Sequence, residues 1–299
     1  MKLCGFFDER ELEKNFKEAE IDKMSSFKYA RLLDTNLDEQ TRGMTIEYNQ
    51  IDFDYDGNLF RLIDTPGHNL YVPQLISAIY ENIDGFGLIG VLVVSCLQKE
   101  LEVGLSKGQI KEDIYLMRAA GINSIIVCIN KMDKVNYNAE NFQLACQKIG
   151  KILTDAKFKQ IQYVPTSGWT GQGLITPCPL QPESQTPIQS LMATVQSMNV
   201  NLIQKSEIDV KVRKGYIFIV NVFILECQSI FSPGYQAVLH TRSGQIGFTV
   251  VKIKGNKFLR RGERGVIKIN LDSEQSFEKS ERIIMRNANC TIGYGIIIS

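Results

Sequence analysis

Three things are scarce in this chain of 299 residues, and each narrows what it is. Charge of one sign is not in excess. The 34 basic and 33 acidic residues leave a formal net charge of +1, so no global field draws the molecule to nucleic acid or to an anionic membrane, and any RNA contact has to come from a local patch. No apolar run is long enough to span a bilayer, and Met1 is not followed by a charged-then-apolar signal region. The expectation is a cytoplasmic protein. A cysteine framework is missing as well. Cys4, Cys96, Cys128, Cys146, Cys178, Cys227 and Cys290 are odd in number, widely spaced and mostly inside apolar runs. That is the pattern of reduced core residues rather than of disulfides or a zinc site. Internal repeats and low-complexity segments are not found.

What is present divides into two textures. Residues 8–34 carry apolar positions at Leu12, Phe16 and Ala19, then at Phe27, Tyr29, Leu32 and Leu33, a spacing that suits amphipathic helix. Residues 38–47 leave that pattern as a polar loop containing Thr45. Alternation of Ile51, Phe53 and Tyr55 predicts a half-exposed strand that turns at Asp56, Gly57 and Asn58 into an apolar stretch over 59–63, read as a buried strand. Helices are predicted over 72–80, 110–120, 139–153 and 188–198, and buried β-branched strands over 90–95 and 124–129. Strands alternating with helices, each strand closing on a polar motif, predict a doubly wound, mainly parallel α/β sheet. Residues 170–187, rich in Gly, Pro, Gln and Ser, read as a surface loop. Past a charged linker at 205–214 every segment reads as strand: 216–225, 235–240, 247–253, 265–270, 281–286 and 292–298. So many strands in so few residues predict a small closed barrel. The expected domains are therefore an α/β domain over 1–203, a linker over 204–215 and a β-barrel over 216–299.

The chemistry lies at the strand ends. Asp64, Thr65, Pro66, Gly67 and His68 follow the strand at 59–63. An Asp at the carboxyl edge of an α/β sheet sits where ligands bind, and there it can hold a phosphate-bound Mg²⁺ through water. Gly67 lets a backbone N–H approach a terminal phosphate, and His68 stands where it can orient an attacking water. Asn130, Lys131, Met132 and Asp133 follow the strand at 124–129. Asp133 can accept both N–H groups on the pyrimidine edge of guanine, with the Asn130 amide bonding nearby groups, whereas adenine offers the wrong donors. Ser167, Gly168 and Trp169, after the next strand, supply a backbone N–H for the guanine oxygen. Thr45 can reach Mg²⁺ through its hydroxyl once its loop orders over a γ-phosphate.

These motifs, in this order, resemble the elongation factor Tu superfamily of translational GTPases in its eukaryotic branch. Phe27 to Ala30, Leu33 and Asp34, and Arg42 to Glu47 resemble its switch I. Asp64 to His68 resemble switch II, and Asn130 to Asp133 and Ser167 to Trp169 its two guanine motifs. Within the branch, Leu33 to Asn36, Pro66 to His68 with Val72 and Pro73, and Ser232 to His240 are most similar to the GTP-binding subunit of the eukaryotic release factor. Elongation factor one alpha and the ribosome-rescue GTPase are near rivals. The resemblance implies a GTPase fold and GTP or GDP with Mg²⁺ as ligand, with Thr45 and Asp64 serving Mg²⁺. It also implies Gly67 as γ-phosphate sensor, His68 as the catalytic residue that positions water, and Asn130, Lys131, Asp133, Ser167, Gly168 and Trp169 around guanine. Hydrolysis would time a step on the ribosome. The implied partners are the ribosome and a translation protein such as a release-factor subunit, or aminoacyl-tRNA if the chain is of elongation type, with no membrane and no DNA.

Departures from the family pattern shape the expectation. No G-x-x-x-x-G-K-[ST] phosphate loop occurs in the 299 residues, and the family's first strand, central in its sheet, is not represented. The expected fold is thus a P-loop-NTPase-like doubly wound sheet lacking its first strand, followed by a small all-β barrel, with no middle barrel between them. Residues 107–113 depart from the family's usual Gly-Gly-Gln-Thr turn, and 83–90 run longer than usual. The functional expectation is a truncated or degenerate GTP-binding translation factor, and the alternative is a nucleotide-independent module that engages a translation partner. His240 reads as a packed barrel residue and Trp169 as a lid on its loop. Lys252, Lys254, Lys257, Arg260, Arg261 and Arg264 read as a solvated hairpin face.

Overall fold

The computed structural model describes residues 48–67, 72–82, 88–106, 108–181, 188–198, 212–225, 227, 230–287 and 290–299. The predicted helices of 8–34, the loop at 38–47, most of the insertion at 83–90 and most of the linker lie outside them. Thr45 and His68 do too. The chain forms two compact units, Met1–Ile79 and Tyr80–Ser299.

In the first unit, β1 (Asn49–Tyr55) and β2 (Asn58–Asp64) pair antiparallel. Their two-residue turn places both Asp56 and Gly57 at positive φ, 54° and 73°, the twist that a tight hairpin demands. Phe53 lies opposite Phe60 with ring centroids 5.6 Å apart. Asp52 and Arg61 meet across the strands through two hydrogen bonds of 2.6 and 2.7 Å. The expected buried character of 59–63 is corrected: Leu59 is 75% and Leu62 37% exposed. The physical reason is that β2 pairs only with β1 among the described residues, so an apolar composition here does not make a central strand. Helix α1 (Val72–Asn82) follows.

The second unit contains the parallel sheet and the barrel. β3 (Ile89–Ser95), β4 (Ser124–Asn130) and β5 (Gln160–Pro165) form a three-stranded parallel sheet with β4 in the middle. Helices α2 (Gln98–Ser106), α3 (Gln109–Ala119) and α4 (Ala139–Ala156) connect the strands, and α5 (Leu191–Ser197) follows the loop after β5. β4 shows why the sheet is doubly wound. Ile125, Val127 and Ile129 pack with Leu101, Ile114, Met117, Phe142 and Ile149 on one face, while Ile126 and Cys128 pack with Leu191, Val195 and Met198 on the other. A strand buried on both faces is a continuous apolar run, as its sequence reads. Among the described residues β3 and β5 are the two edges of this sheet, and Val91 and Val93 on β3 are 42% and 60% exposed. Helix α2 was not expected. Only Leu101 of its residues is buried and Gly104 lies inside it, so the sequence carries almost no helical period there.

The six strands expected after the linker are all present as a closed barrel. They are β6 (Val212–Ile224), β7 (Gln236–Thr241), β8 (Gly244–Ile253), β9 (Arg264–Glu278), β10 (Arg282–Arg286) and β11 (Thr291–Ile297), in the order β10, β11, β6, β9, β8, β7. Closure leaves no free edge. Phe218, Phe231, Phe248 and Phe277 fill its core, with Phe218 and Phe277 edge to face at 4.8 Å.

A buried polar network joins the barrel to α3. Glu112 Oε1 accepts from Arg286 Nη1 at 2.8 Å, from the Thr291 hydroxyl at 2.7 Å and from the Thr291 backbone N–H at 3.1 Å. The Arg286 and Glu112 side chains are only 6% and 15% exposed. Nearby, the Tyr80 hydroxyl donates to the Arg282 carbonyl at 3.1 Å, and the Arg282 guanidinium lies over Gly121. A Cβ at Gly121, whose φ is +95°, would strike that guanidinium. His240 is buried in β7, as expected, and burial first, then the Arg286 charge, push its pKa down to about 4.

Two stability predictions follow from this network. Glu112→Ala strands the Arg286 guanidinium without its carboxylate and is expected to cost about 3 kcal/mol in urea unfolding, with Glu112→Gln intermediate. Asp113, beside it, has its pKa raised to about 7 by burial first and by Glu112 second. A raised carboxyl contributes stability that is whole below its unfolded pKa and is lost as pH rises through the folded one. Asp113→Asn is therefore expected to melt several degrees above the parent at pH 8 and to match it near pH 4. A constant difference across that range would contradict this account.

Candidate guanine-binding site

The second unit brings five of the expected site residues together at the carboxyl ends of β4 and β5. β4 delivers Asn130 as its last residue, and the chain turns at once through Lys131, which has φ 67° and ψ 28°. This left-handed conformation costs a non-glycine residue roughly 1 to 2 kcal/mol. It is held by hydrogen bonds from both sides. The Cys96 thiol donates to the Lys131 carbonyl at 3.2 Å and the Lys134 N–H at 2.9 Å. The Cys96 N–H donates to the Asn130 carbonyl at 2.9 Å, and the Met132 N–H to the Thr166 carbonyl at 3.1 Å. The loops after β3, β4 and β5 are thus tied to one another through the backbone before any ligand is considered.

The loop after β5 closes on itself. Ser167 N–H donates to the Gln172 carbonyl and Gly171 N–H to the Ser167 carbonyl, both at 2.8 Å. Gly173, at φ +81°, packs so close to the Pro165 carbonyl that a Cβ there would overlap it. Only glycine fits, and its fit brings Ser167 and Gly168 back over Asn130 and Asp133.

Side chains then meet in pairs. The Ser167 hydroxyl, fully buried at the residue level, donates to Asp133 Oδ1 at 2.6 Å. The Gly168 N–H donates to Asn130 Oδ1 at 2.9 Å. A short hydrogen bond to a carboxylate is strong and directional, so it fixes the plane of Asp133. Each carboxylate oxygen has further acceptor capacity, which leaves Asp133 able to take two parallel N–H donors on one edge of a planar ring. The Asn130 oxygen is committed to Gly168, so its amide N–H₂ is oriented as a donor. Lys131 Nζ is bound by Glu100 Oε2 of α2 at 2.7 Å. Glu100 is the residue that sequence reasoning missed, because it lies on the one helix without a legible period. Trp169 is half exposed on the loop surface, and the Tyr137 and Thr170 hydroxyls share a hydrogen bond of 3.1 Å beside it. Asn130, Lys131, Asp133, Ser167 and Gly168 are therefore gathered at one place, with one carboxylate and one amide each fixed by a hydrogen bond.

The residues expected to serve phosphate and Mg²⁺ stand differently. Asp64 ends β2 in the first unit, and Gly67 three residues on is exposed with open space where a Cβ would be. Thr45 and His68 lie outside the described residues. Among the described residues no group of three or more His, Cys, Asp or Glu side chains converges as a metal site. The basic residues Lys252, Lys254, Lys257, Arg260 and Arg264 are exposed on β8, β9 and their connection, with Arg260 over Phe258 and Arg264 over Phe223, each at 5.2 Å. No helix among the described residues is long and apolar enough to cross a membrane.

Comparison with known proteins gives the same picture. The elongation factor Tu GTP-binding domain matches residues 4–205, and the elongation factor Tu C-terminal domain matches 211–299. The chain is 34% identical over 177 residues to the eukaryotic peptide chain release factor GTP-binding subunit of Candida albicans, covering 58% of this chain and 24% of that protein. It is 34% identical over 183 residues to elongation factor 1-alpha of Hyperthermus butylicus, covering 60% of this chain and 40% of that protein. The chain thus spans well under half the length of these relatives. In fold it is similar to the Ski7 GTPase-like domain of S. cerevisiae, solved with GDP and inorganic phosphate, at a TM-score of 0.76 and 13% identity over 96% of this chain and 90% of that one. A sheet whose strand ends carry the guanine motifs, a closed barrel after it, and family matches across both place this chain in the elongation factor Tu family of translational GTPases.

Proposed function

We propose that this chain is a GTP-binding translation factor of the elongation and release factor type, cytoplasmic, acting with the ribosome and a protein partner. One observation carries the reading. The Asp133 carboxylate is fixed by Ser167 and the Asn130 amide by Gly168, so the acceptor pair and the donor that distinguish guanine from adenine are set before a nucleotide arrives. Pre-ordered polar groups give selectivity because a wrong base leaves them unpaired. GTP with Mg²⁺ would supply the phosphoryl group whose hydrolysis serves as a timer in this family. On this chain Asp133, Asn130, Ser167 and Gly168 would hold the base, Asp64 and Thr45 the metal, Gly67 the terminal phosphate and His68 the attacking water. Trp169 would cover the base from the loop surface. The domain limits of this reading are 1–203, a linker at 204–215 and a barrel at 216–299.

A second reading has its own support. The sequence contains no G-x-x-x-x-G-K-[ST] pattern, whose backbone amides and lysine bind the phosphates in other NTPases. A truncated or degenerate factor of this family would keep the fold and the docking faces while engaging a translation partner without turnover.

Titration of the purified chain with a fluorescent GDP analogue and Mg²⁺ separates the two. The GTP-binding reading expects saturable binding that GTP competes and ATP does not. It also expects Asp133→Asn to weaken guanine binding by about a hundredfold, the scale of two hydrogen bonds to a charged group, while binding of the xanthine nucleotide rises. No guanine-specific binding by a chain that is folded by circular dichroism would reject it in favour of the partner-binding module.

A further inference from the structure

Lys131 is the strained residue of the site, and both of its ends are fixed. Its carbonyl accepts from the Cys96 thiol and the Lys134 N–H, which holds the backbone in the left-handed turn. Its ammonium, at the other end of four methylenes, is bound at 2.7 Å by Glu100. Glu100 is itself placed by three features. It lies in the first turn of α2, where the helix dipole favours a carboxylate. The Lys131 ammonium first, and then the Ser95 hydroxyl at the end of β3, hold the Glu100 carboxyl below the usual range. Ser95 also accepts from the Leu97 N–H at 3.1 Å, which fixes the approach to the helix. The Lys131 stem therefore runs between two anchors, next in the chain to Asn130 and two residues before Asp133.

A free lysine stem samples many rotamers, and a planar ring that uses it as a support must first order it. We propose that Glu100 is a positioning residue for the base: by holding the Lys131 ammonium on α2, it pre-orders the lysine methylenes as an apolar rest for the face of the ring whose edge Asp133 and Asn130 read. Glu100 touches the lysine and not the ligand. The proposal rests on the guanine-binding reading above and adds to it a residue on a helix outside the guanine motifs. The contact is half exposed on both sides, so its contribution is to conformational order rather than to the stability of the fold.

The test is a double-mutant cycle read by the affinity of a fluorescent GDP analogue for the full chain, with thermal melting of every variant alongside. Lys131→Met keeps an apolar stem of similar length and removes the ammonium, so it uncouples Glu100 without deleting the support. Glu100→Ala is expected to weaken binding about threefold to tenfold in the parent, the cost of ordering one long side chain, and by less than about twofold in the Lys131→Met background. Because the stem meets the ring face and not its edge, Glu100→Ala should weaken guanosine and inosine diphosphates by the same factor, as Asp133→Ala should not. An equal loss in both backgrounds, with a lowered melting point, would assign Glu100 a merely structural role and overturn the proposal. So would an unchanged affinity in the parent. Failure of the guanine reading itself looks different: the folded parent chain then binds no GDP analogue at all, and Glu100 loses its role along with the site.

Discussion

Glu112 is a carboxylate buried where helix α3 meets the barrel, and its burial constrains everything around it. A charge taken out of water is costly unless it is paired and its remaining acceptor sites are filled. Glu112 meets both conditions only because the barrel brings Arg286 and Thr291 to it, two residues from paired strands β10 and β11. Arg286 is equally dependent, since its guanidinium divides between Glu112 and the Thr291 hydroxyl and is almost fully covered. The same strands present Arg282 to Tyr80 and to the open face of Gly121. The contact is therefore one of fixed register, and a slide by one residue along β10 would replace Arg286 with Met285 or Asn287, neither of which carries a charge. His240 stays neutral within this surround because it is buried beside a permanent cation.

The same constraint is transmitted to the strand ends. Helix α3 carries Glu112 at its start and packs Ile114 and Met117 against β4, and β4 ends on Asn130. Asn130 is thus mounted on a strand covered on both faces. From there the positioning is done by backbone bonds, Cys96 to Asn130, Met132 to Thr166 and Ser167 to Gln172, with the Cys96 thiol on the Lys131 carbonyl. Only after these ties are made do the side-chain pairs of Asp133 with Ser167 and Asn130 with Gly168 acquire a single geometry. Left-handed strain at Lys131 is tolerated because the surrounding hydrogen bonds over-determine it, a common condition at ligand sites.

Much of this could be read without coordinates, for reasons particular to each element. β4 and the barrel strands declare themselves because burial on two faces, or on one face with alternation, leaves a one-dimensional pattern. Helix α4 does so because Phe142, Ala145, Ile149 and Leu153 recur on one face. Where a residue's state depends on what stands beside it, the pattern misleads. The stretch Leu59 to Ile63 has the composition of a central strand and is half exposed, since β2 pairs on one side only among the described residues. Helix α2 was invisible because one buried leucine and an internal glycine leave no period to detect.

The sequence by itself determined the class of the protein: the alternation of strands with helices, the six-stranded barrel, and the identity of Asn130, Lys131, Asp133 and Ser167 as candidates to hold guanine. It did so because side-chain periodicity and strand-end motifs are local properties, set by residues a few positions apart. Tertiary structure alone decided which distant groups act together. Glu112 with Arg286 and Thr291, Glu100 with Lys131, and Cys96 with the Asn130 loop are pairings between residues tens to nearly two hundred positions apart. Their worth depends on burial and on the direction of a hydrogen bond, and neither quantity exists until the sheet, the helices and the barrel have closed around them.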